Sequence, residues 1–348
     1  LRARWSGEAM AERTLHLILS IDTEGDNLWA KGDGRVFRNI ERLPEFQGFC
    51  EELGLRPTYL VAYEVIEDDS ARAVIQQLAR NGDCEIGAHL HAWLTPPYYE
   101  PLEPPGKHPY LHEYPEELRL AKLETVTRAI EDAIGKRPTS YRGGRWSMDA
   151  YTMCALDQLG YAVDTTVTPF VSWARTPGTN SGGPNFVAAP TWPYHPAADN
   201  PIEPGELGIL EIPPSHRPKG IIPHSLYRAL GRRFGDNPVA WRIVLRYFLN
   251  RLGKVVHPNP ATESAERLRW LAGQVTSDDI PILNLAFHSS ELMAESAPWV
   301  ATSEDEVRVR DNIRLVSETL AKRGRHWEGS TLSVTSESAD SGCLGYDT

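Results

Sequence analysis

The stretch LHLILSID, residues 15–22, decides the fold of this chain of 348 residues. It is a predominantly apolar run that ends in a carboxylate. A run of this kind, without the regular alternation of a half-exposed strand, is typical of a strand buried on both faces of a parallel sheet. The sequence therefore predicts a buried parallel strand with Asp22 at its carboxyl end.

Further apolar runs follow along the chain, and each is predicted to be a strand. They are PTYLVAY (57–63), CEIGAHLH (84–91), PTSYRGGRW (138–146), YAVDTTV (161–167), LGILEIPPS (207–215) and IPILNLAFHS (280–289). Helical patterns occupy residues 40–53, 70–82, 115–135, 147–160, 237–252, 261–275 and 303–324. This alternation predicts the α/β class, with a parallel sheet wrapped by helices.

The same pattern favours one closed or nearly closed (β/α) barrel over two doubly wound domains. No GxGxxG motif follows the first strand, and the chain is too long for one small open sheet. We assign residues 15–328 to a single catalytic domain with long loop insertions. Residues 1–14 are predicted to be a disordered extension, and residues 329–348, rich in Ser, Gly and Asp, a flexible tail.

The composition of the chain limits the classes of partner that it is expected to bind. The formal net charge of −11 argues against a non-specific nucleic-acid or anionic-membrane surface, although it leaves room for a local basic patch. No stretch approaches the ~20 apolar residues of a membrane span. The four cysteines are scattered, and the first residues lack the apolar run of a signal peptide, so we expect a cytoplasmic protein without a zinc–thiolate site. The oligomeric state is left open.

Polar residues stand where the predicted strands end, which is where barrels of this kind place their chemistry. They are Asp22 and Glu24 after the first strand, His89 and His91 at the third, Arg142 at the fourth, Asp164 on the fifth and His288 at the last. We expect these side chains to converge on one mouth of the barrel.

His89 and His91 are two residues apart, so on a strand both imidazoles point to one face. Two imidazoles with a carboxylate opposite suit Zn²⁺ or a related divalent ion. The alternative is one core histidine and one surface histidine. The acidic end of the first strand, in the same mouth, favours the metal.

Asp22 and Glu24 share a face for the same reason. One of them can bind a metal while the other takes a proton from water. The alternative is a solvated acidic turn. His288 could protonate a leaving group, Arg142 could hold Asp22 ionised, and Asp164 could orient His288. The alternative for these three is an ordinary structural pairing at a strand end.

The order of these motifs resembles the NodB-type polysaccharide deacetylases, carbohydrate esterase family 4, and within them the branch typified by lipopolysaccharide-biosynthesis proteins. The matching segments are SIDTEGD (20–26), EIGAHLHAW (85–93), YRGGRWS (141–147), VDTTVTP (163–169), GILEIPPS (208–215) and LNLAFHSSEL (283–292). They occur in family order, and the last helix extends the match to about residue 324.

The resemblance implies a distorted (β/α)7-type barrel, a divalent metal ion, with Zn²⁺ expected, and hydrolysis of an N-acetyl or O-acetyl group on a sugar. By position it makes Asp22 the general base, Glu24 the acidic metal ligand, His89 the first metal histidine, Arg142 the arginine that holds the base, Asp164 the acid that orients the catalytic histidine, and His288 that histidine, the general acid.

Two departures concern the metal ligands. The family's first motif has adjacent aspartates, whereas here Thr23 separates Asp22 from Glu24. The family's second metal histidine lies four residues after the first, and that position is Trp93, so His91 is assigned the role instead. Asp26 is then a reserve ligand.

The aromatic, proline-rich loop 93–114 is long enough to be functional and is expected to stack on sugar rings. Trp93 and Trp146 are the candidate substrate contacts, and Trp173 and Trp192 are further ones. The alternative for each is plain packing.

These observations together predict a metal-dependent carbohydrate deacetylase, a hydrolase acting on C–N bonds other than peptide bonds. The expected partner is an N-acetylated sugar or a cell-surface polysaccharide precursor. One alternative is a metal-dependent amidohydrolase acting on a non-sugar amide, although that class usually carries its HxH on the first strand. The other is a catalytically weak sugar-binding barrel module.

Overall fold

The computed structural model describes residues 14–28, 36–249, 253–277, 281–324 and 326–340. The predicted disordered extension over residues 1–13 lies outside these ranges. Among the described helices, none is both long and apolar enough to cross a membrane.

Within those ranges, eight parallel strands form one curled sheet in the spatial order β7-β1-β2-β3-β4-β5-β6, with β8 paired to the start of β1. The strands are β1 (Leu15–Thr23), β2 (Thr58–Ala62), β3 (Glu85–Leu90), β4 (Ser140–Gly143), β5 (Val163–Asp164), β6 (Leu210–Glu211), β7 (Ile282–His288) and β8 (Trp327–Gly329). The predicted distorted (β/α)7-type barrel in a single domain is confirmed.

Helices alternate with the strands along the chain. They are α1 (Leu43–Glu52), α2 (Tyr63–Glu67), α3 (Asp69–Asn81), α4 (Glu116–Ile134), α5 (Ala150–Gln158), α6 (His224–Phe234), α7 (Pro238–Val244), α8 (Ala265–Ser277), α9 (Ser303–Lys322) and α10 (Leu332–Asp340). A π-helical segment, Leu245–Leu249, continues α7. Two small antiparallel hairpins pair Pro196–Ala197 with Asn200–Pro204 and Arg217–Gly220 with Gly253–Val256.

The strand β1 explains why the barrel forms and where its chemistry lies. Its odd-numbered residues pack outward against the helices, whereas Ile18 belongs to a separate apolar cluster inside the barrel. Because strand side chains alternate, Ser20 and Asp22 follow Ile18 on that inner face. The interior therefore changes from apolar to polar along β1, and Asp22 lies at the polar end of this strand.

The barrel is open between β6 and β7, and the segment that follows β6 bridges the gap. The backbone N–H of Ser215 donates to the Asn284 carbonyl oxygen at 3.0 Å, and the Asn284 N–H donates back to the Ser215 hydroxyl at 3.0 Å. The Asn284 amide also donates to the carbonyl oxygen of Ile212. One backbone hydrogen bond and two that involve side chains here replace the ladder that would close a regular barrel.

The strands β5 and β6 are much shorter than predicted. Over residues 161–167 only Val163 and Asp164 pair in the sheet. The backbone N–H of Thr166 donates to the Asp164 carboxylate at 3.2 Å and that of Val167 to Glu211, so the chain leaves the ladder immediately after Asp164.

The predicted flexible tail is wrong over residues 329–340. The fully buried Leu332 lies in the cluster that contains Ile18, and its N–H donates to the Thr58 hydroxyl at 3.0 Å. The next N–H, that of Ser333, donates to the Glu85 carboxylate at 3.0 Å. These tertiary contacts anchor α10 across the amino-terminal end of the barrel, although its sequence alone is that of a polar tail. Residues 341–348 lie outside the described ranges.

We predict that Leu332→Ala destabilises the fold by about 2–5 kcal/mol, because it leaves a cavity where the side chain plugs the barrel. The free energy of unfolding in urea measures this effect. The matched control is Glu337→Ala on the exposed side of the same helix, which should change stability by at most about 0.5 kcal/mol. Equal stability of wild type and Leu332→Ala would show that α10 does not close the barrel.

Candidate active site

Strand register brings the predicted site residues to one level of the barrel. Asp22 on β1 pairs with His288 on β7, and His89 on β3 pairs with Arg142 on β4. The carboxyl ends of all these strands face the same mouth, as parallel pairing requires. Residues that are up to 266 positions apart in sequence therefore share one cavity.

Arg142 holds Asp22 in place. Its Nη1 donates to Oδ1 of Asp22 at 2.7 Å, and both side chains are buried. Burial alone would raise the pKa of Asp22, but the charge of Arg142, aided by that of His288, outweighs it and lowers that pKa below its usual range. Asp22 is therefore ionised at neutral pH.

Glu24, His89 and His91 form a compact group of metal donors. Oε2 of Glu24 lies 3.2 Å from Nε2 of His91 and 3.6 Å from Nε2 of His89. The two Nε2 atoms are themselves 3.1 Å apart. All three side chains are buried, and their donor atoms lie within 4.8 Å of one another.

The tautomer of His89 shows that this group fits a cation. Nδ1 of His89 lies 2.9 Å from the Arg142 carbonyl oxygen, which can only accept, so Nδ1 carries the proton and Nε2 presents a lone pair. That lone pair points at a second imidazole nitrogen and a carboxylate. Oε1 of Glu24 is also buried without a hydrogen-bond partner. Two imidazoles and one carboxylate, with such unsatisfied atoms, match the donor set of Zn²⁺ and related divalent ions.

Local packing holds the His91 ring beside Glu24 and His89, although the family resemblance would place the second histidine at position 93. Gly144 lies against its ring, and a Cβ at position 144 would collide with the imidazole. On the other side Trp93 stacks with His91, with ring centroids 4.8 Å apart, and with His108 at 4.6 Å. Gly144 is therefore required by close approach, and Trp93 supports the His91 ring as well as lining the cavity.

Glu64, on the short helix α2, lies behind His91 and was not identified from the sequence. Its Oε1 lies 3.7 Å from Nδ1 of His91. Both carboxylate oxygens of Glu64, and Nδ1 of His91, are buried without a hydrogen-bond partner. A carboxylate at this place favours a proton on Nδ1, which leaves Nε2 free to bind a metal.

His288 is held by Glu291 and not by Asp164. Oε1 of Glu291 lies 3.4 Å from Nδ1 of His288, and Oε2 accepts the His288 backbone N–H at 3.2 Å. The indole of Trp299 donates to Oε1 of Glu291 at 2.7 Å, and Asn259 donates to both oxygens. Several hydrogen-bond donors thus fix the Glu291 carboxylate in the position from which it contacts the imidazole.

The charges around His288 favour its protonated form. Burial alone would lower the pKa of His288, but the carboxylates of Glu24, Glu291 and Asp22 outweigh it and raise that pKa to about 9. Nε2 of His288 lies 3.7 Å from Oδ2 of Asp22. The site therefore combines an ionised carboxylate with a facing imidazolium.

The predicted contact of Asp164 with His288 is wrong, because β5 places Asp164 beside β6. Its carboxylate accepts hydrogen bonds from the Thr166 hydroxyl at 2.6 Å and from the Thr166 backbone N–H at 3.2 Å, and Glu211 is its neighbour across the ladder. Burial, together with the charge of Asp164, raises the pKa of Glu211 well above its usual range. Asp164 is part of the support of the barrel wall.

A cavity of about 500 Å³ opens over these residues. Its aromatic lining includes Trp93, Trp146 and Trp173. Trp146 stacks parallel to Trp173 with centroids 6.0 Å apart, and the Arg142 guanidinium lies 5.1 Å from the centre of the Trp146 ring. Arg145 and Trp146 both have a left-handed backbone, a strained conformation for such residues that occurs mostly at functional sites.

Two of the predicted reserve residues lie elsewhere. Trp192 is exposed beside Arg228 and outside the cavity lining. Asp26 is buried, but its oxygens accept hydrogen bonds from Arg38 at 3.0 Å and from Asn39, so they are not directed to the metal donors.

The sequence carried a signal for Glu291 but not for Glu64. Glu291 is three residues after His288, a spacing that brings two side chains together on a helical turn, and Ser289–Leu292 is such a turn. Glu64 follows β2 within an ordinary amphipathic pattern, and only the three-dimensional structure places it behind His91.

The structure is a parallel (β/α) barrel whose mouth holds a buried Glu–His–His group that could bind a metal ion, beside a carboxylate that faces an imidazole. No protein-family model matches the sequence, and no curated protein matches it significantly. Among solved structures, a Mycobacterium smegmatis protein provisionally assigned as a polysaccharide deacetylase is 15% identical, with a TM-score of 0.52, over 95% of this chain and 93% of that one. A Parabacteroides distasonis protein, provisionally assigned as a glycoside hydrolase/deacetylase, is 12% identical, with a TM-score of 0.57, over 94% and 71%.

The chain therefore has the fold of the NodB-type polysaccharide deacetylases, as the resemblance in sequence implied. Its closer relation to the lipopolysaccharide-biosynthesis branch stays a prediction.

We predict that Glu64→Gln weakens divalent-metal binding by about 10- to 100-fold, because it removes the charge that orients His91. Competition with a chromophoric chelator measures the affinity without relying on activity. Glu67→Gln, an exposed carboxylate on the same helix, is the matched control and should bind metal as wild type does. Unchanged affinity in Glu64→Gln would mean that Glu64 does not support the metal site.

We predict that Glu291→Gln lowers the pKa of His288 from about 9, because it removes a carboxylate that favours the charged imidazole. Titration of the His288 ring by NMR, in chelator-treated protein, measures the change. His288 then loses its proton at lower pH than in wild type. Glu304→Gln, an exposed carboxylate, should leave the titration unchanged; the same curve in both variants would contradict the role of Glu291.

Proposed function

We propose that the protein is a metal-dependent deacetylase that hydrolyses an acetyl group on a sugar or a polysaccharide precursor. The observation that carries this proposal is the pairing of ionised Asp22 with protonated His288, 3.7 Å apart, beside the group formed by Glu24, His89 and His91. These are the protonation states that a base and an acid need at neutral pH. The fold supports the same reaction.

Glu24, His89 and His91 would hold the divalent ion, with Zn²⁺ as the expected ion. Such an ion polarises an acyl carbonyl and acidifies a water molecule beside it. Glu64, Gly144 and Trp93 keep the His91 ring in the orientation that this requires.

Asp22 is proposed to act as the general base. Its Oδ1 is committed to Arg142, whereas Oδ2 faces His288 across the cavity. Arg142 keeps the carboxylate ionised and fixes its direction, so that Oδ2 can accept a proton from an attacking water.

His288 is proposed to act as the general acid. Glu291 holds the ring through Nδ1, which leaves Nε2 directed to the cavity. Donation of that proton to the departing sugar amine makes cleavage of an amide possible, since an unprotonated amine is a very poor leaving group.

The stacked pair of Trp146 and Trp173 offers an aromatic wall for sugar rings, and we propose these two side chains, with Trp93, as substrate contacts. An N-acetyl group suits the general acid better than an O-acetyl group, because departure of an amine depends on protonation far more than departure of a sugar alcohol does. We propose the N-acetylated sugar as the main substrate on this ground.

The test is release of acetate from N-acetylhexosamine glycosides by the metal-loaded protein. We predict that Asp22→Asn retains the fold and the metal but lowers kcat by about 10²- to 10⁴-fold, the range for removal of a general base. Asp311→Asn, an exposed aspartate, is the control and should be fully active. Loss of metal by Asp22→Asn, with metal retained by Glu24→Gln, would show that the two roles are exchanged.

Two further outcomes would reject the proposal itself. If the metal-loaded wild type binds sugar but releases no acetate, the protein is a sugar-binding module and not a deacetylase. Hydrolysis confined to amides that carry no sugar would leave an amidohydrolase of another kind.

We predict that His288→Ala slows cleavage of a sugar acetamide by at least tenfold more than cleavage of an activated aryl acetate. The reason is that an aryl alcohol leaves without a proton, whereas the amine requires one. The ratio of kcat values on the two substrates measures the difference. Equal losses on both substrates would show that His288 is a structural residue.

A further inference from the structure

The segment 217–256, here called the basic hairpin, carries an unusual share of exposed apolar side chains. It consists of the antiparallel strands Arg217–Gly220 and Gly253–Val256 with α6, α7 and the π-helical segment between them. Nine large apolar side chains are exposed in the described part of the chain, and five of them belong to this hairpin: Ile221, Leu226, Val239, Ile243 and Tyr247. Such a concentration marks a surface for interaction rather than scattered exposure.

Three of these side chains form a stripe along α7 and its π-helical continuation. Val239, Ile243 and Tyr247 follow one another at intervals of four residues, which places them on one side of a helix. The opposite side is used for packing, since Trp241 and Val244 are buried in an apolar cluster with Phe170, Val187 and Tyr227. The exposed stripe is thus not required to hold α7 on the protein.

Cationic side chains accompany the stripe. Residues 217–256 contain nine Lys and Arg and a single acidic residue, Asp236, although the whole chain has a net charge of −11. Arg242 and Arg246 are exposed directly beside the stripe, and Arg232 and Arg233 are exposed at the end of α6. Apolar side chains next to basic ones on a short helix are the pattern of a helix that lies in a membrane interface.

The basic hairpin also adjoins the mouth of the active-site cavity. Val239 and Arg242 line a shallow cleft together with Ala174 and Arg175. The neighbouring residues Trp173 and Thr176 line the cavity itself. A surface bound to the hairpin would therefore lie close to the entrance through which a substrate passes.

We propose that the basic hairpin docks the protein on an anionic lipid surface. Insertion of Val239, Ile243 and Tyr247 removes apolar area from water, and the arginines neutralise lipid phosphates. A second copy of the chain fits less well, because it would bring two basic patches together. A nucleic acid would use the cations but not the aliphatic stripe. The inference is independent of the proposed reaction, since binding to lipid is measured without substrate.

The experiment is co-sedimentation of the full chain with lipid vesicles. Vesicles of phosphatidylcholine containing about a third phosphatidylglycerol are compared with pure phosphatidylcholine, at low and at high salt. We expect binding to the anionic vesicles, weaker binding as salt rises, and little binding to the neutral ones.

Two variants test the two components of the surface. Ile243→Glu removes part of the stripe, and the double variant Arg242→Glu/Arg246→Glu reverses the charge; each should weaken binding by at least about tenfold. Val307→Glu is the control for the first, because Val307 is equally exposed on α9. Arg80→Glu/Arg128→Glu, on α3 and α4, is the control for the second. Both controls should bind as wild type does.

Three results would overturn the proposal. The first is absence of binding to anionic vesicles. The second is equal loss in the variants and their controls, which would assign the effect to net charge or to folding. The third is a dimer that dissociates in Ile243→Glu while wild type ignores the vesicles, because it would assign the surface to a second copy of the chain. If the wild type binds the vesicles but releases no acetate, the proposed reaction is rejected and the proposed docking surface is not.

Discussion

The buried guanidinium of Arg142 is the contact on which the rest of the site depends. It donates to Oδ1 of Asp22 at 2.7 Å, to the hydroxyl and carbonyl oxygens of Ser20, and to the carbonyl and hydroxyl oxygens of Thr165. One side chain thereby links β1, β4 and the segment after β5 inside the barrel. A cation buried this deeply is tolerable because every one of its donors is used and because Asp22 supplies the opposite charge.

This arrangement needs a barrel interior that is polar near the mouth and apolar at the base. Ile18 and Leu332 fill the base, and the Asn284 amide, bonded to Ser20 and Thr165, fills the middle. The polar middle layer supplies acceptors for Arg142 and bridges the gap between β6 and β7. The same network therefore bridges the gap in the sheet and holds Asp22, the proposed general base.

The sequence predicted the barrel well because its long strands are buried on both faces, and a buried run such as residues 15–22 has a distinctive composition. It predicted α10 and the short strands poorly, because these depend on hydrogen bonds with other elements, such as the one that the Leu332 N–H donates to the Thr58 hydroxyl. The sequence predicts Asp164 beside His288 because each residue lies near the end of a strand. Strands that end at the same level of the barrel, however, need not be neighbours in the sheet. The sheet order puts Asp164 next to Glu211, and the carboxylate beside His288 comes from its own turn.

The two proposed metal histidines, His89 and His91, are two residues apart, which departs from the spacing that the family resemblance implies. A second histidine four residues after the first would lie on the loop beyond β3, whereas His91 follows β3 directly. The His91 ring lies beside Glu24 and His89. Gly144 leaves room for the ring, Trp93 covers its face, and Glu64 lies behind its Nδ1 atom. Trp93, the residue at the family's usual histidine position, thus contributes by packing instead of by binding. The placement of the His91 ring therefore depends on contacts from three separate parts of the fold, and a motif confined to β3 could not have revealed it.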